Sequence, residues 1–236
     1  MTFKKTLSGL TLRGFVPPMR LGEFKLIAFD MDSTLINIEC IDEIADAVGL
    51  KKEVAAITEA TMRGEIADFK TSLRRRVALL KGVTVQDMER VYAERLQLNP
   101  GATELVSACK KAGLKVLLVS GGFTFFANRV AQRLGIDFAK SNELEINNGV
   151  LTGGLINQLW GDICDGEEKR KTVLETCAIL GIQPTQAIAV GDGANDLPMM
   201  GAAGLSVAFH AKPKVREQAM VAINEGGLDR LLEVLN

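Results

Sequence analysis

Histidine is nearly missing from this chain: His210 is the only one among 236 residues. The four cysteines (Cys40, Cys109, Cys164 and Cys177) are widely spaced and form no C-x-x-C pair, so together with His210 they make a poor zinc set. They read instead as reduced, mostly buried thiols of a cytoplasmic protein. No apolar run approaches the roughly 18 residues that span a bilayer. Near the N-terminus, beside Lys4, Lys5 and Arg13, charges and glycines break any signal-peptide core. An excess of either charge is absent too, since 28 basic and 29 acidic side chains leave a formal net charge of −1. That balance gives no reason to expect nucleic acid or a membrane as partner, and an anionic substrate must be held by a few well-placed groups. Internal repeats and low-complexity tracts are also lacking. Hydrophobic residues make up 47% and charged residues 24%, ordinary for a globular chain long enough for one domain with an insertion.

What is present is a recurring pattern of short apolar runs that end abruptly in polar residues. Lys25–Phe29 (K-L-I-A-F) ends at Asp30, Lys115–Val119 (K-V-L-L-V) at Ser120-Gly121-Gly122, and Ala187–Val190 (A-I-A-V) at Gly191-Asp192-Gly193. A shorter run spans Leu205–Phe209. Helical periodicity lies between them, at Glu104–Ala112, Phe125–Leu134, Lys169–Leu180 and Leu197–Ala203. Strands alternating with amphipathic helices predict an α/β fold, a Rossmann-like doubly wound parallel sheet whose ligand edge lies beyond the C-terminal strand ends. Four more helical stretches, Ile38–Val48, Lys52–Arg63, Ala67–Leu80 and Val85–Leu96, follow the first core strand and predict a helical-bundle cap. The expected organisation is an arm or hairpin over 1–23, a core over 24–36 and 99–236, and a cap over 37–98. A small β-hairpin is expected over 143–156, turning at Asn148-Gly149.

Asp30-Met31-Asp32-Ser33-Thr34 carries the strongest chemical signal. Two carboxylates two residues apart at a strand end are costly to desolvate without a compensating cation. A hard ion such as Mg²⁺ suits them, because it prefers oxygen ligands and keeps water and phosphate in its shell. One carboxylate can then attack phosphorus while the other serves as general acid and base. Gly191-Asp192-Gly193-Ala194-Asn195-Asp196 places a second acidic cluster at another strand end, with glycines that allow close backbone approach. Ser120-Gly121-Gly122 offers a hydroxyl and backbone N–H groups as a phosphate cradle. The cation that phosphoryl transfer requires is expected among Lys169, Arg170 and Lys171.

The order D-x-D-x-T, S-G-G, K, G-D-G-x-N-D resembles the haloacid dehalogenase-like superfamily of phosphohydrolases, over nearly all the chain from Lys25. Longer strings, L-I-N-x-E-x-I-D-E-I-A through Ala45, S-L-R-R-R-V, V-S-G-G-F and V-G-D-G-A-N-D-L-P-M-M, resemble its phosphoserine phosphatases. The resemblance implies Asp30 as nucleophile, Asp32 as general acid/base with its carbonyl on Mg²⁺, and Asp192 as the remaining metal carboxylate. Asn195 and Asp196 would support the metal shell, and Ser120, Gly121 and Lys169 would hold the phosphate. Lys169 is favoured over Lys171 by counting back from Leu180-Gly181-Ile182. In the cap, Glu39 would meet a substrate ammonium and Arg76 its carboxylate, an arginine fork suiting the latter. Met62 and Phe69 would line the same pocket.

The implied reaction is Mg²⁺-dependent hydrolysis of L-phosphoserine through a phospho-aspartate, the last step of serine biosynthesis. The same residues would also serve phosphotransfer to another alcohol such as homoserine, or hydrolysis of another small phosphate ester. A non-catalytic phosphate-binding module predicts the loss of one of Asp30, Asp32 or Asp192, and all three are present. Many members of the family add N-terminal ligand-binding domains; with only residues 1–23 ahead of the core, regulation through one is not expected. His210 is read as structural.

Overall fold

The computed structural model describes residues 4–15, 17–63 and 65–235, excepting the side chains of residues 4–7 and Met62. Its first core strand is β3 (Leu26–Phe29), whose four residues are all buried. Alternate side chains serve opposite faces of the sheet. Ile27 and Phe29 join a large cluster that runs on into Ile44, Leu73 and Leu105, while Leu26 and Ala28 join a smaller one with Val173 and Cys177. A strand covered on both faces has no polar face to show, which is why the sequence reads as an unbroken apolar run.

Two more strands, β1 (Lys4–Leu7) and β2 (Leu10–Arg13), precede it. After it come helices α1 (Cys40–Ala47), α2 (Lys51–Met62), α3 (Phe69–Leu79) and α4 (Val85–Glu94). The chain then alternates through α5 (Ala102–Lys111), β4 (Lys115–Phe123), α6 (Thr124–Leu134), β5 (Phe138–Asn147) and β6 (Val150–Ile156). It closes with α7 (Gly166–Leu180), β7 (Ala187–Gly191), α8 (Leu197–Ala202), β8 (Leu205–Phe209), α9 (Pro213–Gln218) and β9 (Val221–Ile223).

Among the described residues the strands form one nine-stranded sheet, in the order β1-β2-β9-β8-β7-β3-β4-β5-β6. From β9 to β5 every pairing is parallel. The sheet is mixed overall, because both edges are hairpins: β1/β2 pairs antiparallel with β9, and β6 antiparallel with β5. The β1/β2 hairpin is stitched on through Leu10, Thr11 and Leu12, and Leu10 and Leu12 are fully buried.

Local capping sets the helix starts. Asp68 accepts the Thr71 N–H ahead of α3, Thr84 and Asp87 form a reciprocal capping box at α4, and Asp165 accepts the Glu168 N–H ahead of α7. The Asp165 cap starts α7 three residues before Lys169, so the lysine lies inside the first turns rather than at the helix edge.

Two strand-like connectors tie α1–α4 to the sheet. Asn37 N–H donates to Gln97 O (3.0 Å), Asn99 N–H to Leu35 O (2.9 Å), and Asn99 Nδ2 to both Thr34 O and Ile36 O (2.9 Å each). The β5/β6 hairpin touches the same helices: Gly82 N–H donates to Leu151 O, Leu151 N–H to Val83 O and Val85 N–H to Gly149 O (2.8–2.9 Å). Asn148 and Gly149 both have positive φ at its turn (52° and 77°), as a tight right-twisted hairpin needs. No helix among the described residues is long and apolar enough to cross a membrane.

Candidate active site

The chemistry gathers where β3, β4 and β7 end. Beyond Phe29 the chain enters a wide helical turn over Met31–Leu35 that breaks at Ser33, a non-glycine residue with φ 56°. The break turns the chain back: Ser33 N–H donates to Ile38 O (3.1 Å), and Ser33 Oγ donates to Glu39 Oε1 (2.7 Å). Asp30, Asp32 and Glu39 thereby share one cavity of about 390 Å³.

Asp30 is almost fully buried, and Lys169 Nζ lies 2.6 Å from its Oδ1. The same ammonium reaches Asp196 Oδ1 at 2.7 Å, and Lys169 has no exposed surface. Burial alone would lower the lysine pKa, but the carboxylates of Asp196 and Asp30 outweigh it and hold the pKa above its usual value. Lys171, the alternative from sequence, points away and pairs with Glu168 and Glu175; Arg170 pairs with Glu167.

The three aspartates nearest the strand ends all resist ionisation. Burial raises the pKa of Asp30 well above normal, with Asp196 and Asp192 adding to the effect and Lys169 opposing it. Burial and then Glu39 push Asp32 up to about 7. Burial, Asp196 and Glu39 do the same for Asp192, also to about 7. Asp32 Oδ1 is buried with no hydrogen-bond partner among the described residues.

Such a cluster fits a hard divalent cation. Oxygens of Asp30, Asp192 and Asp196 lie within 4.8 Å of one another. Asp196 is already committed, since Oδ1 accepts from Lys169 and Oδ2 from the N–H groups of Asp192 (3.1 Å) and Gly193 (2.9 Å). Asp30 and Asp192 each keep an oxygen with no protein partner among the described residues, Asp192 Oδ1 accepting from Thr34 Oγ1 at 3.2 Å. Asp196 therefore orders the turn and the lysine, which leaves Asp30 and Asp192 with oxygens open to a cation.

Ser120 and Gly121 line the cavity, but the segment is not the turn its composition predicts. Strand β4 continues through Ser120-Gly121-Gly122 to Phe123, with its register against β5 shifting between Val119 and Phe123. The Gly122 N–H is turned inward to Ser120 Oγ (2.9 Å). Asn142 braces the strand by donating from Nδ2 to Gly121 O at 2.8 Å. The glycines are needed for space: a Cβ on Gly122 would stand 3.1 Å from Asp32 Oδ2 and from Ser120 Oγ, and one on Gly121 3.0 Å from Phe69.

The helices between β3 and β4 add to the lining. Glu39, Phe69, Arg76 and Asn195 line the cavity too. Burial lowers the Arg76 pKa, opposed by Asp42 and Glu39. The side chain of Met62 lies outside the described residues. His210 lies elsewhere, its Nε2 2.8 Å from Gly226 O, a contact that fixes a loop. Sequence reasoning passed over Ser33, Asp42, Thr58 and Lys212, which also line the cavity. Asp42 was findable, since it follows Glu39 by three residues and so shares its helix side; Lys212 reaches the site only through the fold.

The model of the haloacid dehalogenase-like hydrolases matches residues 27–201. The chain belongs to that family. Among curated hydrolases of the family, a phosphoserine phosphatase of Albidiferax ferrireducens is 74% identical over 96% of this chain and 95% of its own. One of a Polaromonas species is 72% identical over 96% of each chain. Among solved structures of the family, a phospho-aspartyl intermediate analogue of phosphoserine phosphatase superposes with TM-score 0.82 at 39% identity, covering 90% of this chain and 99% of that one.

Proposed function

We propose that this hydrolase releases phosphate from L-phosphoserine, with Asp30 as nucleophile, Asp32 as general acid/base and Mg²⁺ as cofactor. The observation that carries the reading is one cavity lined both by Asp30, Asp32 and Asp192 and by Glu39 and Arg76. The first set suits a phosphoryl group, and the second suits the ammonium and carboxylate of an amino acid. Its similarity to named phosphoserine phosphatases supports the same substrate.

In the first half-reaction an Asp30 carboxylate oxygen bonds to phosphorus as the ester P–O bond breaks, and Asp32 donates its proton to the departing serine oxygen. Water then attacks the phospho-aspartate, Asp32 takes back a proton, and the P–O bond to Asp30 breaks to free phosphate. An Asp32 pKa near 7 suits a group that must give and take a proton in turn. Mg²⁺ held by Asp30, Asp192 and the Asp32 backbone carbonyl would neutralise charge on the phosphoryl oxygens. Lys169 and Ser120 would hold that group in line with Asp30, and Asn195 would support the metal shell. Residues 37–98 would act as the specificity cap over a core of 24–36 and 99–236. Four buried, unpaired cysteines support a cytoplasmic setting.

Phosphate release from L-phosphoserine, with and without Mg²⁺, tests this directly beside Asp30→Asn. Metal-dependent release that vanishes in the variant is expected. Asp30-dependent turnover of an aryl phosphate alone would discard the substrate, and serine formation only with an added alcohol would make the enzyme a phosphotransferase.

A further inference from the structure

Glu39 and Arg76 account for the two charges of an amino-acid end, yet the cavity lining carries a further charged group, Asp42. It stands in the first turn of α1, and the helical repeat sets it beside Glu39. An acid in a first turn gains from the helix dipole wherever it points. Its neighbour Glu43 turns away from the cavity to pair with Arg95 at 2.7 Å. Asp42 instead keeps a buried Oδ1 with no hydrogen-bond partner among the described residues, and Arg76 keeps a buried Nε in the same condition. No ion pair joins the two among the described residues, although Asp42 acts on the Arg76 charge more strongly than Glu39 or Asp32 does. Two unpaired polar atoms of opposite sign, desolvated in one cavity, describe a receptor for a ligand that carries both signs.

We infer that Asp42 is the residue that restricts this site to phosphoesters bearing an ammonium beside their carboxylate, by rejecting the hydroxy-acid counterparts. The inference rests on the phosphoserine reading and names what that reading leaves open. Glu39 and Asp42 put two carboxylates within range of the Arg76 guanidinium. A zwitterionic end places its carboxylate on Arg76 and its ammonium toward Glu39 and Asp42, giving each charge of the ligand an opposite partner. A hydroxy-acid end brings the carboxylate but no cation, leaving both acids desolvated and facing a further anion, so discrimination comes from repulsion as well as attraction. Lys212 offsets Glu39, and Lys51, which acts on Asp42, is itself paired with Asp46 at 3.5 Å.

The sharpest probe is 3-phosphoglycerate, which has a hydroxyl where phosphoserine has its ammonium. We would measure kcat/KM for both compounds in the Mg²⁺-loaded wild type and Asp42→Asn, with Asp42→Ser as a second replacement and the fold of each checked by circular dichroism. The expected result is a loss of about tenfold on phosphoserine, carried mainly by KM, with a gain on 3-phosphoglycerate, so that their ratio falls more than about tenfold. Equal losses on both compounds would assign Asp42 a structural role and overturn the inference, as would an unchanged ratio. A wild type inactive on phosphoserine would instead overturn the proposed substrate, and the inference with it.

Discussion

The Lys169 ammonium is buried between two carboxylates, 2.6 Å from Asp30 Oδ1 and 2.7 Å from Asp196 Oδ1. One cation thus joins α7 to the ends of β3 and β7, and holds Asp30 by one oxygen while its other oxygen faces the cavity. A buried pair of this kind contributes less to stability than its geometry suggests, because desolvation offsets the attraction, but removing one partner leaves a buried charge exposed to its like.

Lys169→Met is therefore expected to lower the unfolding free energy by about 3–5 kcal/mol, read from urea midpoints, and to abolish measurable turnover. Lys171→Met, on the exposed face of the same helix, should change neither. A Lys169→Met enzyme with wild-type turnover would remove the lysine from the mechanism.

The carboxylate cluster predicts an unusual dependence of the metal-free protein on pH. In the unfolded chain an aspartate titrates at about 3.9. In the fold Asp32 and Asp192 are raised to about 7, and Asp30 is raised in the same direction. A raised folded pKa means the native state holds protons more tightly, so its stabilisation is complete below about 4 and lost as pH climbs through about 7. In chelator, the urea midpoint should be lower at about pH 8 than at about pH 5.5. Saturating Mg²⁺ should narrow the gap, because it stabilises the ionised native form selectively. Equal midpoints in chelator would show that burial does not raise these three acids.

Gly122 and Gly204 separate space needed for chemistry from space needed for folding. An alanine at 122 presses on Asp32 and Ser120, whose side chains can yield by a few tenths of an ångström. An alanine at 204 overlaps the Thr185 carbonyl, which is backbone and far less yielding. Gly122→Ala should lower kcat about tenfold with its melting temperature nearly unchanged. Gly204→Ala should lower the melting temperature and leave the kcat of the folded fraction intact. The reverse pattern would contradict both assignments.

A charged latch joins α3 to the loop ahead of α7. Lys70 Nζ lies 2.9 Å from Asp162 Oδ1 and 3.6 Å from Asp165 Oδ2, and Arg74 lies 2.8 Å from Asp162 Oδ2. Lys70 and Asp162 are about two-fifths exposed, so water and salt weaken the pair, and a double-mutant cycle on them should give roughly 0.2–1 kcal/mol. Because α3 carries Phe69 and Arg76, Asp162→Ala should raise KM about twofold without changing kcat, and flatten its dependence on ionic strength. A KM as salt-sensitive as that of the wild type would place the latch outside substrate binding.

The acidic strand ends were legible before any coordinates, and so were the strands behind them. Leu26–Phe29, Ala187–Val190 and Leu205–Phe209 are short apolar runs because the sheet covers both their faces, and Asp30 and Asp192 stand out as charges directly after buried segments. The four helices after β3 were legible too, to within a residue or two at most ends, because each repeats its apolar side chains along one face. Ser120-Gly121-Gly122 misled, since glycine pairs suggest turns, whereas here close approach of Asp32 and Phe69 requires them inside a strand. The pairing of Leu10–Leu12 with β9 and the seating of the β5/β6 hairpin on the α3–α4 connection left no local mark.

Composition and local pattern thus determined the fold class, the acidic clusters and the kind of ion they suit, because strand burial and carboxylate spacing act over a few residues. Only the tertiary structure decided that Lys169 meets Asp30 while Lys171 turns to Glu168 and Glu175, that Asp196 is spent on holding Lys169, and that Asp42 lines the cavity with an Oδ1 left unpaired among the described residues. Those are outcomes of desolvation and charge between groups far apart in the chain, and they exist only once the helices have packed.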